Sequence, residues 1–316
     1  MRTLVLKIDV DTYRGTLEGV PRLVHCLKRH QTPSTFLFSL GPDRTGRAIK
    51  RVFRPGFFSK VSRTSVIEHY GIQTLLYGTL LPAPDISLRC AAQLHEAEAN
   101  GHEVGIHCFD HITWQDGVMA ANVPTTERWM KAAQERFKLI FKRQAKVHGA
   151  AGWQMNAQAF RLTEQLGFEW SSDTRGEYPF LPIVNGQTIF CPQLPTTLPT
   201  FDELLGLNGQ TAKHVVEELL HHTQETPLCG HIYTLHAELE GGKLMYYFEQ
   251  LLEGWKKQGY RFLTLSEFGK LAVSQAGGYV DNLPRHDINF HGQLAGRSGT
   301  LCTPGSIYPN IYTHLL

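Results

Sequence analysis

An α/β fold, with a parallel sheet or barrel wrapped by helices, is predicted by two observations. Strand-like and helix-like segments alternate nearly throughout the 316-residue chain, the pattern that crossover connections impose. Acids and histidines recur at one kind of place, the C-terminal end of a strand: Asp9 and Asp11, His107 and His111, Asp173, and His236. Loops at that edge converge, so polar side chains from distant segments are brought together there.

Residues 3–10 read as a buried strand and 17–29 as the helix that follows it, with a second strand over 34–40. Asp85 is placed to cap a helix carrying Leu88, Ala91, Ala92 and Ala99 that stops at Asn100-Gly101. Residues 103–108 then form a short apolar strand. A helix over about 126–141 has Trp129, Ala133, Phe137, Ile140 and Phe141 near helical spacing. Residues 146–153 read as a strand; Asn156 opens a helix and Gly167 closes it. Strands follow over 168–172 and 189–194, and a helix over 209–222. Residues 232–235 form a strand ending at His236, before a helix over 244–255 and a last strand over 261–265. After Gln275 periodicity fails, and residues 276–316 are expected as an irregular tail behind a catalytic domain of residues 1–275.

The composition, 42% hydrophobic and 19% charged with a net charge of +2, is that of an ordinary globular chain. The 6 cysteines form no C-x-x-C pair, which favours reduced thiols over a disulfide framework. Too few uninterrupted apolar residues precede Lys7 for a secretory signal, and no run approaches the roughly 20 needed to span a bilayer. A soluble or peripheral protein is expected.

The alternation breaks once, over residues 41–85. From Arg44 to Arg63 stand Arg44, Arg47, Lys50, Arg51, Arg54, Lys60 and Arg63, with no acid. Phe53, Phe57 and Phe58 are interleaved, and an apolar stretch over 72–81 follows. Cations beside exposed aromatics suit an anionic membrane surface, and Arg47, Arg51 and Arg54 could equally hold a substrate phosphate. No nucleic-acid role is expected, because the basic patch is local and no recognition motif accompanies it.

The richest stretch is Gly105-Ile106-His107-Cys108-Phe109-Asp110-His111. Two imidazoles four residues apart at the end of a strand can turn toward one divalent cation, with one carboxylate of the Asp9/Asp11 pair as third ligand and room left for water. In a chain with 16 histidines such a pair alone is weak; Asp-x-Asp ahead and a strand-end histidine behind strengthen it. Asp110 is expected as a solvated loop acid, and His102, His221, His222 and His231 as surface or helix-end residues.

Asp9-x-Asp11, His107-x-x-x-His111, Asp173 and Tyr233-Thr234-Leu235-His236 resemble, in order along the chain, the short motifs of the polysaccharide deacetylases, the NodB-homology group. Within that group the chain is most similar to enzymes that deformylate undecaprenyl-phosphate-linked 4-deoxy-4-formamido-L-arabinose. That similarity rests on Lys7-Ile8-Asp9-Val10-Asp11-Thr12, Glu169-Trp170-Ser171-Ser172-Asp173-Thr174-Arg175-Gly176, Pro192-Gln193-Leu194-Pro195-Thr196-Thr197-Leu198-Pro199-Thr200 and the residues from Tyr233 to Gly241. The resemblance implies a distorted parallel β/α barrel of about seven strands, one divalent metal ion (zinc, cobalt, nickel or manganese) and an amide-cleaving site. It also implies a place in lipid A aminoarabinose modification and polymyxin resistance, at the cytoplasmic face of the inner membrane. Two departures stand out. Val10 separates aspartates that are usually adjacent, and Ala150-Ala151-Gly152-Trp153 stands where the family's third motif usually begins with an Arg.

On this reading Asp11, His107 and His111 hold the metal, Asp9 is the general base, and His236 is the acid that protonates the leaving amine. Asp173 orients His236, and Arg175 contacts sugar or phosphate. The alternatives are a deacetylase of another N-acylated glycan, and a membrane-surface binding protein whose metal site is structural.

Overall fold

Residues Thr3–Val10 form β1, and all eight are buried, because Leu4, Leu6, Ile8 and Val10 pack under helices while Val5 on the other face packs with Leu37, Val147 and Ile232 of other strands. The computed structural model describes residues 2–48, 71–225, 227, 229–297 and 299–305. The remaining strands are β2 (Thr35–Ser39), β3 (Glu103–Cys108), β4 (Val147–His148), β5 (Trp170–Ser171), β6 (Leu181–Val184), β7 (Gln187–Thr188), β8 (His231–His236), β9 (Arg261–Leu263), β10 (Arg285–Gly292) and β11 (Leu301–Pro304).

Seven of them make one curled parallel sheet in the order β5-β4-β3-β2-β1-β8, with β9 also on β1, the distorted half-barrel form of the expected α/β fold. Residues 7–10 of β1 pair with β2, 4–9 with β8 and 3–5 with β9. Register decides what meets at the top. Asp9 lies opposite Leu37 on one strand and His236 on the other, and the Ala237 N–H donates to the Asp9 carbonyl at 3.0 Å. Two strands distant in sequence thereby deliver a carboxylate and an imidazole side by side. Gly105 and Gly149 carry the crowding beneath. A Cβ at Gly105 would lie 2.5 Å from the Val147 carbonyl oxygen, and one at Gly149 only 2.4 Å from Leu37.

Helix ends follow the chain's polar punctuation. Asp85 caps Ile86–Arg89 by accepting from Leu88 N. The next helix, Ala91–Ala99, turns Leu94 and Ala97 inward. Asn122 caps Val123–Phe141, and Asn156 caps Ala157–Gln165, each satisfying an N–H that the helix leaves unpaired. The first helix differs from expectation: a π-helical turn, Gly15–Gly19, precedes Val20–Arg29.

Three further expectations fail for stated reasons. The strand over 146–153 ends after Val147–His148, since Gly152 and Trp153 take positive φ values (65° and 53°) inside a 3-10 turn. Residues 189–194 make only isolated bridges, through Gln193 to Ser171 and Phe180. The pairing falls instead on the β6–β7 hairpin around Asn185 and Gly186. Residues 276–316, expected as an irregular tail, contain β10 and β11, which join β6 and β7 in a second sheet of order β11-β10-β6-β7. The alternation of β10 is faint in the sequence because Arg285, Asp287, Asn289 and His291 occupy its open face, leaving only Ile288 and Phe290 as apolar signals. Arg297 then donates to the Gly152 carbonyl at 2.9 Å, so part of the tail is bound to the Ala151–Trp153 turn.

Candidate active site

Asp11, His107 and His111 converge at the C-terminal edge, their ligand-type atoms all within 4.8 Å of one another. His107 Nε2 is 3.2 Å from Asp11 Oδ1, and His111 Nε2 is 3.4 Å from Asp11 Oδ2. The His107 Nδ1–H donates to the Gly149 carbonyl at 2.7 Å. That bond leaves the Nε2 lone pair aimed at a carboxylate oxygen that has no hydrogen-bond partner of its own. Two acceptors facing each other at this distance repel unless a proton or a metal cation sits between them. Ligand atoms bound to a divalent ion at about 2.1 Å are themselves about 3.0–3.4 Å apart, so the donor set fits such an ion. Burial depresses the pKa of His107, but Asp9 and Asp11 outweigh it and raise that pKa; a cation would answer the same negative field.

Asp9 stands behind this trio. Its Oδ2 lies 3.3 Å from Lys7 Nζ, with both side chains buried, and its Oδ1 has no hydrogen-bond partner. Burial lowers the pKa of Lys7, against the pull of Asp9 and Asp173. Trp153 organises the neighbouring cations: Lys7 Nζ is 5.0 Å from its ring centre, and the guanidinium groups of Arg175 and Arg297 are each 4.7 Å from it. A Lys breaking the apolar run of β1 was the sequence signal for this arrangement.

His236 is partly open. Burial pushes its pKa down, but Asp202, Asp11 and Glu240 outweigh that and raise it to about 9. Asp202 Oδ1 is 3.7 Å from His236 Nδ1, and Glu240 Oε2 accepts the His236 backbone N–H at 3.0 Å. Glu240 is pushed up to about 7 by burial. Glu238 Oε1 accepts from Asp11 N at 3.0 Å, Thr12 N at 2.7 Å and Thr12 Oγ1 at 2.8 Å, clamping the loop that carries Asp11. Burial and the Asp11 charge raise Glu238 to about 8. Gly15 permits this approach, since a Cβ there would lie 2.0 Å from Glu238 Oε1. Sequence reasoning missed Asp202, Glu238 and Glu240. The two glutamates were visible in His236-Ala237-Glu238-Leu239-Glu240, and Asp202 lies within the Thr200-to-Glu203 capping box.

Several expected roles need correction. Asp173 does not pair with His236: its Oδ1 accepts from His148 Nδ1 at 2.7 Å and Ala150 N at 2.8 Å, and its Oδ2 from Gln193 Nε2 at 3.1 Å. The sheet order explains this, because β5 adjoins β4, which carries His148, and stands at the opposite end from β8. Arg175 is wholly buried, bound to both Glu203 oxygens at 3.0 and 3.1 Å and to the Leu198 carbonyl at 2.8 Å, so it has no surface for sugar or phosphate. Asp110 is a buried helix cap, accepting from Thr113 N and pairing with Arg44. His102 and His231 are buried too. Arg47 is exposed and donates to the Gly78 carbonyl, while Arg51 and Arg54 lie outside the described residues.

No profile of a known protein family matches the chain. A probable 4-deoxy-4-formamido-L-arabinose-phosphoundecaprenol deformylase ArnD of Shewanella sediminis is 36% identical over 265 residues, covering 83% of this chain and 84% of that protein. Its probable counterpart in Wigglesworthia glossinidia brevipalpis is 30% identical over 286 residues, covering 90% and 96%. Among solved structures, a probable polysaccharide deacetylase of Pseudomonas aeruginosa shares the fold, with a TM-score of 0.61 at 13% identity over 88% of this chain and 92% of that one.

Proposed function

Because the chain belongs to the ArnD deformylase family, we propose that it is a metal-dependent amide hydrolase removing the formyl group from undecaprenyl-phosphate-linked 4-deoxy-4-formamido-L-arabinose. The observation that carries this reading is the convergence of Asp11, His107 and His111 beside Asp9 and His236. Asp11, His107 and His111 would hold one divalent ion, which lowers the pKa of a water and polarises the formyl oxygen. Asp9 takes the water's proton, with Lys7 Nζ 3.3 Å away in the place the family usually gives to an Arg of the third motif. His236 donates a proton to the nitrogen as the C–N bond breaks, releasing formate and the amine of the sugar. Asp202, rather than Asp173, supports the imidazolium form of His236.

Purified protein should release formate from the lipid-linked formamido sugar, lose that activity to a chelator and regain it with a divalent ion. Turnover indifferent to chelation would sink the reading. The acid role also has a sign in pH. A raised His236 pKa keeps the donor protonated through neutrality, so kcat falls on the alkaline side as pH approaches about 9. Asp202→Asn removes the carboxylate 3.7 Å from His236 Nδ1 and should shift that alkaline limb toward lower pH. A limb that stays in place would dissociate Asp202 from the acid.

The reading includes peripheral attachment to the cytoplasmic face of the inner membrane through the basic and apolar insertion. Ile72 is 67% and Leu80 82% exposed, and no helix among the described residues is long and apolar enough to cross a membrane. Replacing Arg47, Arg51 and Arg54 together by Glu should reduce sedimentation with anionic liposomes severalfold at low salt. Unchanged sedimentation would remove the docking role.

A further inference from the structure

A concavity adjoins the catalytic loop without being part of the metal cluster. It is a cavity of about 170 Å³ between the segment after β1 and the turn after β8, with Thr12 and Glu238 on its catalytic side. Arg14, Arg22 and Lys243 line it, against the acids Glu18 and Glu238. Glu18 Oε2 lies 3.3 Å from Arg14 Nε and 3.9 Å from Arg22 Nη2, so one acid is shared by two guanidinium groups.

Position gives this charge a direction. Thr12 follows the proposed ligand Asp11 directly, and the Glu238 carboxylate binds both backbones. At the other end Arg14 reaches the insertion: a Cβ on Gly71 would lie 2.6 Å from Arg14 Nη1, and the next residue is the exposed Ile72. Reactive centre, cationic hollow and exposed apolar ledge therefore follow one another. A sugar joined through phosphate to an isoprenoid has the same three parts in the same order.

Resting on the deformylase reading, we infer that the Arg14/Arg22/Lys243 hollow is the phosphate subsite, and that the ledge at Ile72 receives the start of the lipid. Guanidinium and ammonium groups suit a phosphoryl anion. Glu18 holds Arg14 and Arg22 in the free protein and yields them to the stronger anion.

The test compares two substrates, the formamido sugar on a short-chain isoprenyl phosphate and its phosphate-free methyl glycoside. In Arg14→Gln/Arg22→Gln/Lys243→Gln, the ratio of kcat/KM for the first over the second should fall by about a hundredfold or more, about tenfold for each cation that carries a charged contact. The fall should lie in KM. Glu18→Gln should move the other way, lowering KM for the phosphate substrate severalfold, which damage to folding would not do. A ratio unchanged in the triple variant, or KM raised by Glu18→Gln, would overturn the subsite. A short-chain isoprenyl phosphate should also inhibit the wild-type protein at least tenfold more strongly than inorganic phosphate. Equal inhibition would overturn the lipid-linked source and leave a free-phosphate site. Should the wild-type protein hydrolyse neither substrate, the deformylase reading itself fails. Calorimetric titration of wild-type and triple variant with the isoprenyl phosphate then still decides the hollow: weaker binding by the variant supports it, and equal binding overturns it.

Discussion

Asp9→Asn is expected to lower kcat by about a thousandfold while one divalent ion per chain stays bound. The side chain sits at the register point where β1 meets β8, opposite His236, with Oδ1 unbonded and Oδ2 toward Lys7. Asparagine keeps the shape and loses the basic oxygen, so proton removal from water fails while packing survives. Metal analysis by mass spectrometry alongside formate release separates this from loss of the ion. Should Asp9→Asn empty the site and Asp11→Asn keep it, the two aspartates have exchanged roles.

Lys7→Met is expected to destabilise the protein by about 3–5 kcal/mol, the range for breaking a buried pair, and to lower kcat about a hundredfold. Methionine fills nearly the same volume, so the loss is of charge rather than of packing. Lys7→Arg should recover a substantial part of kcat, because a cation returns beside Asp9 and the Trp153 ring. Thermal denaturation and steady-state kinetics read the two effects separately. A Met variant as stable and as active as wild type would show that Asp9 needs no cationic partner. Lys7 stands beside the segment Ala150-Ala151-Gly152-Trp153, where the chain departs from the family pattern. The family's usual Arg is absent from that segment, but Trp153 from the same segment faces the cation that β1 supplies.

The strand-end positions of Asp9, Asp11, His107, His111 and His236 could be read from the chain because apolar runs of strand length end at them. Parallel β/α topology sends all such ends to one edge. Helix starts at Asp85 and Asn156 are legible for a local reason, a side-chain oxygen accepting from an N–H three residues ahead; the helix expected from about residue 126 begins instead at Val123, behind the Asn122 cap. The second sheet was hidden because β10 is an amphipathic strand with a mostly polar open face and a partner, β6, about a hundred residues earlier. Arg175 and Asp173 misled because residue type says that a charge is present but not which buried counter-charge will meet it.

Taken alone, the chain determined the α/β class, the edge at which chemistry collects and the side chains standing there, since these depend on local pattern and on the fixed direction of parallel crossovers. Only the tertiary structure decided the partners: Asp173 with His148, His236 beside Asp202, Glu238 on the Asp11 loop, and Lys7 against Asp9. Partnership depends on strand order, register and the curl of the sheet. Those are set by how the whole core closes, which no stretch of sequence specifies by itself.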